Sequence, residues 1–183
     1  MNPKSFLSLA MAMLTPIVGV RSQSDPRTSH TEWQIYHGDY GGSHYSALDQ
    51  INRSNVKDLE VAWIWHSGDL GSTIECNPVI IDGIMYVTTP RIHCVALNAA
   101  TGKMIWRFDP WNGKRGGGVS RGVSYWSDGK SDHRIFYSAG DSLYALNAKT
   151  GQPVDSFGKN GRISHLDGFD TDVFFFSIGN NTP

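Results

Sequence analysis

The sequence predicts an all-β protein built from repeated four-stranded sheets, which is the construction of a β-propeller. The first observation is an internal repeat, since the two segments that begin ALNA, at Ala96 and Ala145, lie 49 residues apart. The second is turn chemistry, because Asp-Gly and Thr-Gly pairs separate short apolar runs. The third is composition: 20 of the 183 residues are glycine, which is typical of a turn-rich chain of short strands.

The first repeat contains the pattern of four antiparallel strands. The apolar residues 79–81 run into Asp82-Gly83 and continue over residues 84–87. This predicts a hairpin, because both turn positions tolerate positive φ. A strand starting at Val95, a Thr-Gly turn and a last strand ending in Trp106 follow. Together these four strands make one propeller blade.

A second, altered copy follows a glycine-containing loop over residues 109–120. Asp155 stands where Trp106 stands in the first copy, and Pro153 lacks the N–H that a regular last strand needs. The second blade is therefore predicted to be irregular at its final strand. Strands are predicted over residues 123–126, 134–138 and 143–147, and a loop over residues 158–168. The first strand of a third blade is predicted over residues 173–178.

The stretch before the first blade is predicted to be mostly loop. Residues 32–49 are polar, glycine-rich and aromatic, which favours irregular structure with short extended pieces. A helical turn capped by Asn52 or Ser54 is expected next. Residues 60–66 then predict a strand, because large apolar side chains alternate along them.

The first 24 residues have the pattern of a secretory signal peptide. Lys4 precedes an apolar run from Phe6 to Val20, and a polar segment follows. The run is short for a membrane span and contains Pro16. We expect residues 1–24 to be a cleaved signal and residues 25–183 to be propeller, in a protein exported to the periplasm. A retained N-terminal anchor is the alternative.

Charge, cysteine and histidine patterns exclude several classes of function. The formal net charge of −1 implies no basic surface for nucleic acid, so no nucleic-acid partner is expected. Cys76 and Cys94 are too few for a disulfide framework and lack metal-ligand spacing, so both are expected to be small packed residues. The seven histidines show no zinc-site spacing, and His93 is expected to be a surface or packed residue.

Two local motifs match functional signatures without the structural context that those signatures need. Residues 118–122 match G-x-S-x-G, but a strand is predicted to follow, whereas a serine hydrolase needs a helix there. The glycines of residues 116–118 complete no phosphate-binding motif. Both stretches are expected to be inter-blade loop. The tryptophans are expected to be packing residues first: Trp33, Trp63, Trp65, Trp106, Trp111 and Trp126.

Glu75 and Arg121 are the candidate binding residues. They precede the first strands of successive blades and hold equivalent places in them. The inner strands of a propeller line its axis, so both side chains are predicted to reach one axial site. An arginine there suits an anionic ligand through charge-assisted hydrogen bonds. The alternative is that both are solvated charges on a rim.

Three segments together resemble one known family. Residues 37–69 are similar to its opening, a glycine-rich run followed by R-Y-S-P-L-D-Q-I-N and a tryptophan-containing strand. The repeat ALNAATGKMIW resembles its tryptophan-docking motif A-x-D-x-x-T-G-x-x-x-W, and the residues around Glu75 and Arg121 resemble its cofactor-contacting positions. The family is that of the pyrroloquinoline-quinone-dependent dehydrogenases, the sugar- and alcohol-oxidising quinoproteins. Departures from its pattern occur at His44, Ala47 and Asn98.

The resemblance implies an eight-bladed propeller with the quinone on its axis beside a calcium ion, of which this chain supplies the first two to three blades. Arg121 would stabilise negative charge at the quinone carbonyl that accepts hydride, and Glu75 would hydrogen-bond the rim of the cofactor. The metal would act as Lewis acid and an aspartate as base. That aspartate and the calcium ligands are expected beyond Pro183, so no catalytic residue and no metal ligand is expected within this chain.

The activity implied by the resemblance is oxidation of a CH–OH group of a sugar or alcohol, with electrons passed to a quinone or cytochrome. The 183 residues alone are expected to be inactive. Arg115-Gly116 stands where the family's alcohol dehydrogenases carry adjacent cysteines, which favours the sugar-oxidising branch. A non-catalytic propeller that acts as an assembly scaffold in the cell envelope is the main alternative, and a decayed gene product is another.

Overall fold

The computed structural model describes residues 31–70 and 73–167, and it contains two four-stranded antiparallel sheets. The predicted signal segment 1–24 and the predicted third-blade strand 173–178 lie outside the described residues, so both stay predictions. No helix in the described part of the chain is long and apolar enough to cross a membrane.

The first sheet confirms the blade predicted from the first repeat. Its strands are hydrogen-bonded in chain order. The hairpin turns at Asp82 and Gly83, whose φ angles of 51° and 72° suit the twist of the flanking strands. Its four strands are β1 (Val79–Ile81), β2 (Ile84–Thr88), β3 (Cys94–Asn98) and β4 (Met104–Phe108).

The second sheet follows the second repeat, with one correction at its final strand. The loop predicted over residues 158–168 contains a strand. After the Thr-Gly turn the chain pairs with the preceding strand only at the Leu146–Pro153 bridge, which is flanked by hydrogen bonds from the Asn147 N–H to the Gln152 carbonyl and from the Val154 N–H to the Ala145 carbonyl. The chain then leaves the sheet and returns to complete it. The strands are β5 (Ser124–Ser127), β6 (His133–Ala139), β7 (Ser142–Asn147) and β8 (Arg162–Ser164).

Two predictions for the stretch before the first blade are wrong in detail. Residues 60–66 form no strand, because no strand among the described residues lies alongside to pair with them. The helical turn is a 3-10 helix, Val56–Asp58, and the residue that precedes it is Asn55. The side chain of Asn52 instead accepts hydrogen bonds from the backbone and hydroxyl of Ser54.

Trp106, at the end of the first blade, docks on the second. Its indole Nε1 donates a hydrogen bond to the Ala148 carbonyl at 2.9 Å, and its ring lies against Gly151. A Cβ on Gly151 would lie 2.5 Å from the ring, and the φ of this residue is +70°. Glycine is therefore required on both counts. The contact places the apolar ring between the two sheets.

Trp63 makes the same contact with the first blade. Its Nε1 donates to the Ala99 carbonyl at 3.1 Å, and its ring lies against Gly102. The loop before the first blade is thus held on that blade by the same kind of tryptophan contact that holds the two blades together. Trp126 differs: it is 46% exposed and faces the Arg134 guanidinium, so the expectation that it is a packing residue is wrong.

The turn that receives each tryptophan is shaped by an asparagine. The Asn98 Oδ1 accepts hydrogen bonds from the N–H groups of Ala100 and Thr101. Asn147 does the same in the second blade. An asparagine oxygen can serve here as an aspartate oxygen does, because each is an acceptor for backbone N–H groups two and three residues on.

The hydrophobic core lies between the two sheets. The Tyr86 hydroxyl of the first sheet donates to the Ala148 carbonyl of the second at 3.2 Å. The Phe108 ring packs against the rings of Tyr137 and Tyr144. One continuous cluster of buried side chains includes residues from both sheets. The two blades therefore stabilise each other rather than folding as separate units.

Replacement of Trp106 by alanine tests this docking. We expect the Trp106→Ala variant of the natural full-length protein to unfold at lower urea concentration, with a loss of about 3–5 kcal/mol, because a buried ring and its hydrogen bond are removed. Circular dichroism during urea unfolding measures the change.

The matched control is Trp126→Ala, which removes an exposed tryptophan from the second sheet. We expect that variant to lose under about 1 kcal/mol. Equal losses in the two variants would contradict the docking role of Trp106.

Candidate functional site

The candidate site lies where the first strands of the two sheets begin. Asn77 and Gly122, just before β1 and β5, form a parallel bridge, and the Asn77 N–H donates to the Arg121 carbonyl at 2.9 Å. A Cβ on Gly122 would lie 2.6 Å from the Asn77 carbonyl oxygen, so this approach needs glycine. The bridge fixes the residues just before β1 and β5 side by side.

The structure brings together the two residues predicted from the sequence. Nη2 of Arg121 lies 3.5 Å from Oε2 of Glu75, and the two side chains are 54% and 33% exposed. An ion pair this exposed contributes little to stability. Among the described residues the Arg121 side chain has no other partner, so most of its N–H donors are available to a ligand. That Glu75 and Arg121 bind a cofactor stays a prediction.

A buried charged cluster at the same end of the first sheet was missed by the sequence analysis. Arg107 donates to the Asp69 carboxylate at 2.6 Å, to the Ser67 carbonyl at 2.8 Å and to Nδ1 of His93 at 3.0 Å. The Asp69 side chain is only 3% exposed. The cluster ties the loop before the first blade to β3 and β4. Its members are far apart in sequence, so no local pattern of residues indicated the cluster.

His93 is neutral in this cluster. Burial lowers the pKa of His93, and the neighbouring Arg107 lowers it further. The geometry agrees, because Nδ1 faces N–H donors of Arg107 and must therefore be the acceptor. The Asp109 carboxylate lies 3.2 Å from Nε2 but accepts no hydrogen bond from it. His93 is thus a packed histidine, one of the two alternatives expected.

Asp69 is charged. Burial by itself raises the pKa of Asp69, but three hydrogen bonds, one of them from Arg107, outweigh this effect and lower it below the ordinary value. The Asp69–Arg107 pair therefore brings compensating charges to the interior.

Asp69 also lines an open cleft of roughly 850 Å³. Residues 68–70 form one wall, Pro90 and Arg91 another, and Gly113 with residues 115–118 a third. The Trp111 indole, lying against Gly116, donates to the Arg91 carbonyl at 2.6 Å and so holds the glycine loop beside the turn between β2 and β3. Neither Glu75 nor Arg121 lines the cleft, although Arg121 follows its last lining residue by three positions.

The remaining sequence motifs are structural. Ser120 of the G-x-S-x-G match hydrogen-bonds to the backbone of Gly122, and a strand follows, as predicted. Both cysteines are free: the Cys76 sulfur accepts from the Thr88 N–H, and Cys94 is buried. Burial raises the pKa of each thiol. Within residues 31–70 and 73–167, no three His, Cys, Asp or Glu residues lie close enough to hold a metal.

Paired four-stranded sheets, docked by tryptophans and joined at their first strands beside an acid–guanidinium pair, define two blades of a β-propeller. A family model described as the β-propeller domain of glucose, ethanol and alcohol dehydrogenases, labelled PQQ, matches residues 33–182. The chain belongs to this family of pyrroloquinoline-quinone-dependent dehydrogenases, which confirms the resemblance seen in its motifs.

Individual relatives agree. The chain is 40% identical over 133 residues to the dehydrogenase subunit of the quinone alcohol dehydrogenase of Gluconacetobacter polyoxogenes, covering 67% of this chain and 17% of the relative. It is 32% identical over 171 residues to quinoprotein glucose dehydrogenase A of Acinetobacter calcoaceticus, covering 78% and 21%. The crystal structure of the quinohemoprotein alcohol dehydrogenase of Comamonas testosteroni matches with a TM-score of 0.60 and 35% identity, covering 75% and 20%. The chain thus spans about a fifth of the length of these relatives.

The buried histidine makes the stability of the protein depend on pH. The folded-state pKa of His93 is below its ordinary value of 6.5. Between these two pKa values, His93 is protonated in the unfolded chain but not in the folded chain. This contribution to stability is full above pH 6.5 and is lost as the pH falls toward the folded-state pKa. We expect the melting temperature of His93→Gln to fall less than that of the wild type between pH 7.5 and 5.5.

Differential scanning fluorimetry at several pH values measures this difference. His66→Gln, which removes an exposed histidine, is the matched control and should keep the pH dependence of the wild type. The prediction is contradicted by a His93→Gln profile that runs parallel to that of the wild type.

Proposed function

We propose that this chain is the quinone-binding part of an oxidoreductase that oxidises the CH–OH group of a sugar or alcohol. The observation that carries the proposal is the Glu75–Arg121 pair at the start of two neighbouring first strands, in a chain that belongs to a family of quinone-dependent dehydrogenases. The relatives named above act on alcohols or on glucose.

The two side chains have the chemistry that such a cofactor needs. Pyrroloquinoline quinone is a planar anion with carbonyl and carboxylate oxygens, which accept hydrogen bonds, and a ring N–H, which donates one. The Arg121 guanidinium offers unused donors, and the Glu75 carboxylate offers acceptor oxygens. Both are partly exposed yet fixed on neighbouring strand ends, so they can contact a ligand without moving their backbones.

When bound, the quinone accepts the two electrons and two protons removed from the alcohol. Arg121 would donate hydrogen bonds to an oxygen of the bound group on which negative charge develops, and the Asn77–Arg121 backbone hydrogen bond holds the backbone from which its guanidinium extends. Glu75 orients the ligand and keeps the guanidinium in place through their ion pair. The Lewis-acid and base groups lie outside the described residues in this proposal.

Three further features belong to the proposal. A calcium ion assists the quinone, electrons pass to a quinone or cytochrome acceptor, and the protein works in the periplasm. The last of these rests on the basic, apolar and polar order of residues 1–24. Sugar oxidation is favoured over alcohol oxidation by Arg115-Gly116, which stands in place of adjacent cysteines.

Arg121→Ala tests the site in the natural full-length protein. We expect it to weaken cofactor binding and to lower turnover by about 100-fold, because a charge-assisted donor is lost from the place where charge develops. Quenching of tryptophan fluorescence by added quinone measures binding, and dye-linked sugar or alcohol oxidation measures turnover.

Arg134→Ala is the matched control, since Arg134 pairs with Asp132 beside the β5–β6 turn, at the other end of β5 from Arg121. It should leave both readouts unchanged. Wild-type affinity and turnover in Arg121→Ala would remove Arg121 from the site.

A further inference from the structure

Two histidines face each other in the loop before the first blade. Nδ1 of His37 lies 3.0 Å from Nε2 of His44, and the two ring planes are inclined at 76°. Both residues are exposed. His44 is also one of the positions at which the chain departs from the motifs of its family, so the family pattern does not account for the pair.

The backbone between the two histidines forms a closed loop. The His44 N–H donates to the His37 carbonyl at 3.0 Å, and the φ of His44 is 52°. Such a left-handed conformation is uncommon for a residue other than glycine. Within the loop, the Asp39 carboxylate accepts hydrogen bonds from the N–H and the hydroxyl of Ser43. The backbone itself therefore places the two rings together.

The loop is also fixed on the first blade. Trp33, which precedes it, exchanges backbone hydrogen bonds with Ile80 of β1 at 3.1 and 2.8 Å. The Trp33 ring lies against Gly38, where a Cβ would approach it to 3.2 Å. Two ligands on a fixed support lose less conformational entropy on binding than two ligands on a flexible loop.

Two imidazole nitrogens at this separation match neighbouring ligands of one metal ion. A histidine nitrogen binds a transition metal at about 2.0–2.1 Å, so two such nitrogens are about 2.9 Å apart at a right angle and about 3.4 Å apart at a tetrahedral angle. The observed 3.0 Å is close to the right angle, which is typical of tetragonal Cu²⁺ and Ni²⁺ sites. Without metal, one ring N–H donates to the other ring. Transfer of that proton to the far nitrogen of its own ring leaves both facing nitrogens able to bind.

We propose that His37 and His44 together bind one divalent transition-metal ion, Cu²⁺ most tightly, with water completing its coordination. Imidazole nitrogens suit such ions, whereas Ca²⁺ takes oxygen ligands, so this site is distinct from the calcium ion proposed beside the quinone. No group of three His, Cys, Asp or Glu residues suited to a metal occurs in the described ranges, so the ion has two protein ligands and exchanges with solvent. The bound ion cross-links the two ends of the loop.

Copper binding by the natural full-length protein, prepared without a histidine tag, tests the proposal. His37→Gln removes one ligand and keeps a polar side chain. We expect the dissociation constant for Cu²⁺, measured by isothermal titration calorimetry, to rise about 100-fold, because the remaining imidazole loses a partner held at high effective concentration. Electron paramagnetic resonance should show two nitrogen ligands on the ion in the wild type and one in the variant.

His66→Gln is the matched control, since it removes another exposed histidine from the stretch before the first blade. It should bind Cu²⁺ as the wild type does. His44→Asn is the second test variant, because asparagine tolerates the left-handed backbone and so preserves the loop. We expect it to lose the same affinity as His37→Gln.

Three results would overturn the proposal. They are a wild-type spectrum with fewer than two nitrogen ligands, equal copper affinities in His37→Gln and His66→Gln, and displacement of Cu²⁺ by excess Ca²⁺, which would assign the ion to the calcium site. None of these readouts depends on quinone binding or on turnover. The histidine pair is therefore tested separately from the proposed function.

Discussion

The arrangement of this protein depends on a tryptophan ring placed over a glycine in the next blade. One sheet cannot cover both of its faces, so it needs a neighbour at a fixed distance and angle. The indole of Trp106 supplies both, because its N–H reaches the Ala148 carbonyl while its ring lies flat against Gly151. The hydrogen bond fixes direction and the apolar ring supplies the burial.

This spacing of the blades also determines which residues meet at the opposite edge of the sheets. With β4 of one blade held on the turn of the next, the first strands of the two blades meet at the Asn77–Gly122 bridge. Glu75 and Arg121 are thereby brought to 3.5 Å from each other across two sheets. Both side chains are at least partly exposed, so their ion pair contributes little to stability. The tryptophan contact and the candidate site are two results of one geometry.

The buried Asp69–Arg107–His93 cluster shows how the cleft keeps its shape. Arg107 compensates the Asp69 charge and also holds the Ser67 carbonyl, so one wall of the cleft is tied to the first blade. Trp111 ties another wall through the Arg91 carbonyl. Against the effect of burial, backbone hydrogen bonds and the nearby Arg91 guanidinium lower the pKa of the Asp109 carboxyl, whereas Arg115 forms no ion pair within the described residues.

The sequence by itself determined the local elements and the candidate pair. Apolar runs beside Asp82-Gly83 specify a hairpin, and the repeated turns at Thr101 and Thr150 specify two copies of one blade, because turn geometry depends on a few adjacent residues. Only the tertiary structure decided which residues beyond these turns meet. The return of the chain as β8, the cluster around His93 and the cleft with Arg91 and Arg115 all join segments distant in sequence. Such contacts depend on how whole sheets pack, and no local pattern of residues encodes contacts between segments that are distant in sequence.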